Sequence, residues 1–362
     1  MYTKRSTLLL ATLLFCFNLI PTAHAKQLAN GKPDFSGTYD VSTLTPLQRP
    51  KEFGDNLELT PAQADAIVEA NRKRSLERDK NRGPITKAPP AGGAPPVGIG
   101  EEFRETSGAG NVGGYNNFWT DRGESVFMVD GKFRTSIIVN PTNGRIPNLT
   151  PTALDKAQQR RKLRRPNDGT AWWLDVDGPG PYDGPEMLGI PERCLLGFTG
   201  HAPTFPSLYN NHKRIVQTES HVLIFIEMVH DARVVRMDSQ HPPAHMQTWL
   251  GDSIGWWEGD TLVVETTNFH PLSRPGYGGS EHTKVVERFS HNAHGDLLYE
   301  FEVEDPNTWT TPWGGEYIWQ ASQEKVFEYA CHEGNYSMGG ILRGARLLEQ
   351  EALSSTQASQ GQ

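Results

Sequence analysis

The sequence has no excess of basic residues and none of the motifs that mark the common catalytic sites. Its 362 residues include 35 Lys and Arg against 43 Asp and Glu, for a net charge of −8. An acidic chain without a basic stripe is a poor partner for nucleic acid or an anionic membrane. No phosphate-binding glycine loop, G-x-S-x-G elbow or H-E-x-x-H motif occurs. We therefore predict no cofactor, and any catalysis would depend on ordinary side chains.

Long apolar runs are also scarce, and the longest lies at the start of the sequence. Lys4 and Arg5 precede an apolar run from Leu8 to Phe17, and Ala23-His24-Ala25 follows the small-x-small rule for cleavage. The run is shorter than the ~20 residues that a membrane helix needs. We expect a signal peptide at residues 1–25, a mature chain from Lys26 without a membrane span, and a periplasmic or secreted protein.

Cysteine is rare, with three residues in the chain. Cys16 falls in the expected signal peptide, which leaves Cys194 and Cys331. An even pair in an oxidising compartment favours a disulfide. Two buried free thiols are the alternative.

The clearest pattern is a hairpin from Ser253 to Phe269. Trp256 and Trp257 end one apolar run, Gly259-Asp260 supplies the turn, and Thr261 to Thr267 is rich in β-branched residues. Two adjacent indoles must be buried against a larger core. We therefore expect the rest of the chain to cover them.

Further strands follow at intervals of roughly 10–15 residues. In one of them Leu297, Tyr299, Phe301 and Val303 alternate with polar residues, which is typical of a strand with one buried face. The pattern predicts a mostly β protein, an antiparallel β-meander closed into a lipocalin-like barrel, with a two-sheet sandwich as the alternative. The predicted strands are 34–40, 125–129, 133–139, 214–217, 222–227, 233–237, 284–289, 297–303, 317–321 and 326–330.

The N-terminal region has a different character. Thr60 and Pro61 predict the start of a helix, residues 84–100 resemble a Pro/Gly linker, and a second helix is expected over Thr152 to Arg165. The predicted organisation is a signal peptide (1–25), an N-terminal extension (26–114), a β domain (115–347) and a polar tail (348–362). Residues 166–212 predict a long ordered loop.

Polar residues that could carry chemistry cluster between His230 and His245. His241 with Asp238, or His230, could form an acid–base pair that needs no cofactor. His241 and His245 have helical metal spacing, but Pro242-Pro243 prevents a helix, so we predict no metal site. Histidines with a purely structural role are the alternative.

Alternate strand positions should point into a barrel, and several polar and aromatic residues become candidate ligand contacts. Arg236, Asp238, Glu265 and Arg288 are expected to line the cavity. The full set of predicted ligand-binding residues is Trp256, Trp257, Arg236, Arg288, Glu258 and His282.

Several blocks of the sequence resemble a large family of exported bacterial proteins that usually carry no functional name. The blocks are RTSIIVNPTNGRIPNLTP (134–151), PERCLLGF (191–198), EMVHDARVV (227–235), WLGDSIGWWEGDTLVVETTNF (249–269), VVERF (285–289), DPNTWTTPW (305–313) and EYACHEGN (328–335). The family pattern near Asp238 is usually D-G-R-x-H-P, and this chain lacks its Gly and Arg. Both cysteines fall in matching blocks, so the resemblance adds weight to the disulfide.

Three functional hypotheses follow. The first is a barrel that binds a small, largely apolar molecule. The second is a cofactor-independent hydrolase, lyase or isomerase using the His/Asp pair, and the third is a structural or interaction protein. The sequence leaves the oligomeric state open.

Overall fold

A computed structural model describes residues 27–80, 120–162 and 169–360 of the chain. The predictions that lie wholly or partly outside these residues include the signal peptide, the Pro/Gly linker at 84–100, the start of the β domain at 115–119, the end of the helix predicted at 152–165 and the start of the loop predicted at 166–212. The described chain is mostly β, with one large and one small sheet. No helix among the described residues is long and apolar enough to span a bilayer.

Thirteen strands make up the two sheets of the described chain. In chain order they are β1 (Gly37–Asp40), β2 (Glu58–Leu59), β3 (Met128–Val129), β4 (Lys132–Arg134), β5 (Ile138–Asn140), β6 (His212–Gln217), β7 (His221–Ile226), β8 (Ala232–Met237), β9 (Asp252–Glu258), β10 (Thr261–Thr267), β11 (Lys284–His291), β12 (Leu297–Glu304) and β13 (Trp313–Ser322). The helices are α1 (Pro61–Lys80), α2 (Pro151–Lys162) and α3 (Tyr336–Gln360), with short turns of helix at Lys51–Phe53, Trp172–Asp175, Pro185–Met187, Met228–His230 and Pro275–Gly278.

Nine strands form a closed barrel. Strands β6 to β13 lie side by side in chain order, and β1 pairs with both β6 and β13 to close the ring. Every neighbouring pair in the ring is antiparallel except β8 and β9, which run parallel. The lipocalin-like barrel is thus confirmed, with one parallel pair in what the sequence predicted as an antiparallel meander. Closure by β1 excludes the two-sheet sandwich.

Aromatic side chains fill the barrel. The alternation predicted in β12 is confirmed, because Leu297, Tyr299, Phe301 and Val303 are buried. They pack with Trp313, Tyr317 and Trp319 of β13 and with Phe289 of β11 in one continuous core. Burying each such ring is worth a few kcal/mol, so this core accounts for much of the barrel's stability.

The predicted hairpin is β9–β10, in which Trp256 lies opposite Val263 and Trp257 opposite Leu262. Both indoles are half-buried rather than fully hidden. Trp257 packs against the barrel core, whereas Trp256 lies on the outer face. The expectation that both rings would be covered therefore holds only in part.

The N-terminal region adds the small sheet, in the order β2-β4-β3. Helix α1 packs on it through Ala64 and Ile67, against Leu59. Its start is the predicted one: the Gln63 N–H donates to Thr60 Oγ1 at 3.3 Å, and the Thr60 N–H donates to Gln63 Oε1 at 2.8 Å. This reciprocal capping satisfies two backbone donors at the helix end.

Both barrel ends are covered by chain segments. Residues 194–211, which we call the plug, cover the end at which β6 and β8 begin: Thr204 contacts Tyr299 and Tyr317, and Thr199 contacts Lys213. At the opposite end Phe35 packs on Trp257, with ring centroids 5.7 Å apart. The plug is the C-terminal part of the long loop predicted at 166–212, of which the structure describes residues 169–212.

Two features differ from the sequence prediction in the C-terminal part. Residues 326–330 form no strand, because β1 already pairs with β13 and leaves no free edge there. We call residues 323–335, an irregular and mostly exposed segment, the strap. Residues 336–360 form α3, which the sequence did not predict, and Ala345 of this helix packs against Trp173.

Candidate functional site

The predicted catalytic histidine lies on the outer face of the barrel. His241 Nδ1 lies 2.6 Å from Asp252 Oδ2, and Arg236 Nη2 contacts the same carboxylate at 2.8 Å. The structure therefore pairs His241 with Asp252 rather than with Asp238, whose backbone N–H donates to Gly255. Asp252 is the first residue of β9, and the loop 238–251 connects β8 to it.

The second ring nitrogen of His241 is covered. Nε2 lies 3.3 Å from Glu265 Oε1 without the geometry of a hydrogen bond, and the atom is buried. A general base must present its free nitrogen to a substrate. We interpret this cluster as a clamp that holds the crossover loop (residues 238–251) against β8, β9 and β10. The chain needs such a crossover because β8 and β9 run parallel.

His230, the other catalytic candidate, does not belong to this clamp and makes a separate contact. Its Nε2 accepts a hydrogen bond from the Tyr329 N–H at 2.8 Å, and its ring lies 6.3 Å from that of Phe225. Close by, Glu227 Oε1 accepts from the Phe327 N–H at 3.2 Å. Both residues thus hold the strap against the barrel end that the plug covers.

The predicted ligand-binding residues do not converge on a cavity. Glu258 bridges Trp256 and Arg288 on the outer face, with contacts of 3.1 and 2.9 Å. Trp257 lies at the barrel end that the plug does not cover, with the Lys32 ammonium 5.8 Å from the centroid of its ring. His282 is an exposed loop residue, its side chain 62% accessible. The alternation of residues along the strands predicted that Arg236, Glu265 and Arg288 would face the barrel interior. In the structure these side chains face outward, and Arg233, Thr266 and Glu287 of the same strands point inward.

The predicted disulfide is confirmed. Cys194 and Cys331 are joined with their Cα atoms 5.8 Å apart. The bond ties the first residue of the plug to the strap, and Asn335 Nδ2 reinforces it by donating to the Glu192 carbonyl at 2.8 Å. A disulfide fits an exported protein.

Inside the barrel, beneath the plug, lies a buried polar network. Arg233 donates through both Nη atoms to Glu287, at 2.6 and 2.7 Å. Tyr299 also donates to Glu287, at 2.8 Å. The network continues to the plug, because the Thr204 N–H donates to Tyr299 and the Tyr317 hydroxyl donates to the Thr204 carbonyl. The plug is thus hydrogen-bonded to the barrel interior.

Several titratable groups around the plug have displaced pKa values, among them Lys213, Asp231 and His201. Burial lowers the pKa of Lys213 to about 7, against the opposing effect of Glu227 and Asp231. Burial raises the pKa of Asp231 to about 6, although the Gly197 N–H donates to its Oδ2 at 2.8 Å. Burial and the charge of Arg233 lower the pKa of His201 to about 4, and His201 Nε2 is buried without a partner among the described residues. Clusters of displaced pKa values are typical of functional sites.

A depression of about 280 Å³ opens beside the plug. Its apolar lining includes Leu47, Ile137, Phe205 and Tyr277, and its polar lining comprises Thr43, Thr45, Ser207 and Arg122. We call it the mouth depression. Sequence analysis missed every one of these residues, because they come from five separate segments that only the fold brings together.

The fold defines this chain as a closed, mixed β-barrel protein whose two ends are covered by chain segments. Comparisons with protein-family models, curated proteins and solved structures found no match. Within the described ranges no three His, Cys, Asp or Glu side chains are arranged to hold a metal ion. The function must therefore be argued from the site itself.

Proposed function

We propose that the protein binds a small, largely apolar molecule in the mouth depression. The observation that carries the proposal is the lining, which combines aromatic and aliphatic walls with a few hydroxyl groups and one guanidinium. Small-molecule pockets have this composition, in which apolar walls provide affinity and a few polar groups fix orientation. The volume of about 280 Å³ is close to the lower end of the range for small-molecule pockets, which indicates a small ligand.

Tyr277 supports this proposal because its ring is 66% exposed at the rim. It meets Phe205 of the plug edge-on, with centroids 5.9 Å apart. An exposed aromatic ring beside a second ring can stack on an aromatic ligand. Phe205 itself stacks on the buried Trp313, with an interplanar angle of 14°. A ligand against Phe205 would therefore alter the surroundings of an intrinsic fluorophore.

The acid–base enzyme is the less supported alternative. It requires an accessible imidazole nitrogen, whereas Nε2 of His241 is buried against Glu265 and Nε2 of His230 accepts a hydrogen bond from the Tyr329 N–H of the strap. The mouth depression contains no histidine and no carboxylate. Binding is therefore the function that these residues support best.

The test uses two probes with the same ring system. 1-Anilinonaphthalene-8-sulfonate and the uncharged N-phenyl-1-naphthylamine would be titrated into the native protein and followed by fluorescence. We expect saturable binding of both. Tyr277→Ala should weaken both by roughly 2- to 10-fold through loss of stacking. Arg122→Gln should weaken only the sulfonate probe.

Tyr336→Ala is the matched control, because Tyr336 is an exposed aromatic residue on α3 and does not line the depression. It should leave both affinities unchanged. Equal effects of Tyr277→Ala and Tyr336→Ala, or binding that does not saturate, would contradict a site in the mouth depression.

We also infer that the protein is exported to the periplasm or the medium, as the resemblance to exported bacterial proteins implies. The Cys194–Cys331 disulfide supports this location. Sequencing the N-terminus of the protein recovered from the periplasm or medium should give Lys26 as the first residue. Recovery of uncleaved chain with both thiols free in the cytoplasm would contradict the inference.

A further inference from the structure

We propose that Lys213 is a reactive amine that condenses with a small aldehyde or ketone to form an imine beneath the plug. This site is separate from the mouth depression, and the proposal stands or fails independently of binding there. It rests on the position of the amine, on its poor charge compensation and on the proton-transfer groups that surround it.

The position comes from the alternation of β6. Lys213, Ile215 and Gln217 point into the barrel, whereas Arg214 and Val216 point outward. Lys213 is 0% exposed. Its hydrogen bond among the described residues is a single one, from Nζ to Thr199 Oγ1 at 3.1 Å. An ammonium has three donors, so this environment satisfies the charged form poorly.

Charge compensation is also incomplete. Glu287 already accepts from both Nη atoms of Arg233 and from Tyr299. Glu227 and Asp231 act on Lys213 electrostatically, but none of the ion pairs among the described residues includes Lys213. The positive charge of Arg233 further disfavours the ammonium form of Lys213 and lowers its pKa. A buried lysine in such surroundings loses its proton near neutral pH, and the neutral amine is the nucleophile.

Groups that can move protons lie in the plug and among the residues that contact it. Asp231 contacts Gly197 and Gly200 of the plug, while Thr199 between them contacts Lys213. The raised pKa of Asp231, about 6, lets the carboxyl both donate and accept a proton near neutrality. His201, two residues after Thr199 in the plug, adds an imidazole nitrogen without a partner among the described residues.

The reaction balances without a redox partner. The Lys213 nitrogen attacks the carbonyl carbon, a C–N bond forms as the C=O π bond breaks, and one proton moves from nitrogen to oxygen to give a neutral carbinolamine. The carbinolamine oxygen then leaves as water, taking one proton from an acid such as Asp231, while the nitrogen returns one proton to the carboxylate. The products are the imine and water. The carbonyl compound reaches the amine when the plug opens locally, as covering segments do without global unfolding.

The experiment traps the imine by reduction. Native protein would be incubated with propanal and sodium cyanoborohydride at pH 7, and the propylated lysines would be mapped by peptide mass spectrometry. A lysine of ordinary pKa near 10.4 is unprotonated in roughly one molecule in 2,500 at pH 7. We expect Lys213 to be labelled at least ~10-fold faster than the exposed Lys132 and Lys284, allowing for slow entry past the plug.

Two further measurements make the result decisive. The rate at Lys213 should level off above about pH 7, while rates at Lys132 and Lys284 keep rising. In urea-unfolded protein the preference for Lys213 should disappear. Native labelling of Lys213 no faster than of the two exposed lysines would overturn the proposal, whatever the behaviour of any variant.

Discussion

Arg233 and Glu287 form a two-pronged ion pair in the interior of the barrel, where both side chains are inaccessible to solvent. Their strands, β8 and β11, are not neighbours, so the pair spans the barrel lumen across β9 and β10. A buried pair gains attraction in a medium of low dielectric constant but loses hydration on both charges. Its partners are therefore strongly interdependent.

Glu287→Gln should consequently lower the free energy of unfolding by about 3–5 kcal/mol, because it leaves the Arg233 charge buried and uncompensated. Urea denaturation followed by circular dichroism would measure the change. The matched control is Glu258→Gln, which breaks the exposed pair with Arg288 and should cost no more than about 1 kcal/mol. Similar losses in the two variants would show that the interior pair has no special weight.

The pH dependence of stability should carry the signature of Lys213. Its folded pKa of about 7 lies below the ordinary 10.5, so between these values the unfolded chain binds a proton that the folded chain does not. The contribution of Lys213 to stability therefore rises with pH in this window and is lost as pH falls through 7. The slope is at most about 1.4 kcal/mol per pH unit.

Lys213→Met should remove this slope, and Lys132→Met, at an exposed position, should keep it. The comparison needs urea titrations of each variant at several pH values between 7 and 10. A Lys213→Met protein with the wild-type slope would mean that Lys213 keeps its proton in the folded state.

Glycine-to-alanine substitutions should have opposite effects on stability in the tightly packed plug and in the exposed helix α3. A Cβ added at Gly200 would lie 2.1 Å from Asp231 Oδ2, whereas one at Gly339 would meet nothing within 4 Å. Gly200→Ala should destabilise the protein by about 1–3 kcal/mol through overpacking. Gly339→Ala should stabilise helix α3 by roughly 0.5–1 kcal/mol. Thermal unfolding would report both signs, and a harmless Gly200→Ala would show that the plug has slack.

The clamp on the crossover loop leads to a fourth prediction. Asp252→Asn weakens the contacts of both His241 and Arg236, so amide hydrogen exchange in residues 239–251 should accelerate about 10-fold or more. Asp238→Asn alters an exposed carboxyl that does not contact His241, and it should leave the exchange unchanged. The reverse ranking would restore the pairing that the sequence suggested.

Local patterns predicted the barrel well, because strand periodicity and turn residues are local properties. The β9–β10 hairpin and the alternation of β12 follow directly from residue order. The strand predicted at 326–330 failed for a reason that is not local: a strand needs a free partner edge, and β1 already occupies the edge of β13. The sequence near 326–330 contains no sign of that competition.

The site was predicted less well, because alternation divides a strand into two faces without saying which is inside. In β6 Lys213 shares a face with Ile215, and Arg214 shares one with Val216, so either basic residue could have pointed inward. In β11 the signal was available, since Glu287 lies between Val285 and Phe289 on one face. The His241–Asp252 contact depends on how the loop returns to β9, which periodicity does not specify.

The pairing of β1 with both β6 and β13 also governs when the barrel can be completed. Thr38 lies opposite both Arg214 and Ser322. The two strands that close the barrel, β1 and β13, therefore come from opposite ends of the described chain. A nascent chain that ends before β13 leaves two strand edges unpaired, so the barrel cannot close until β13 has been synthesised. Such long-range closure is slow, and the protein should assemble as a whole rather than progressively from its N-terminus.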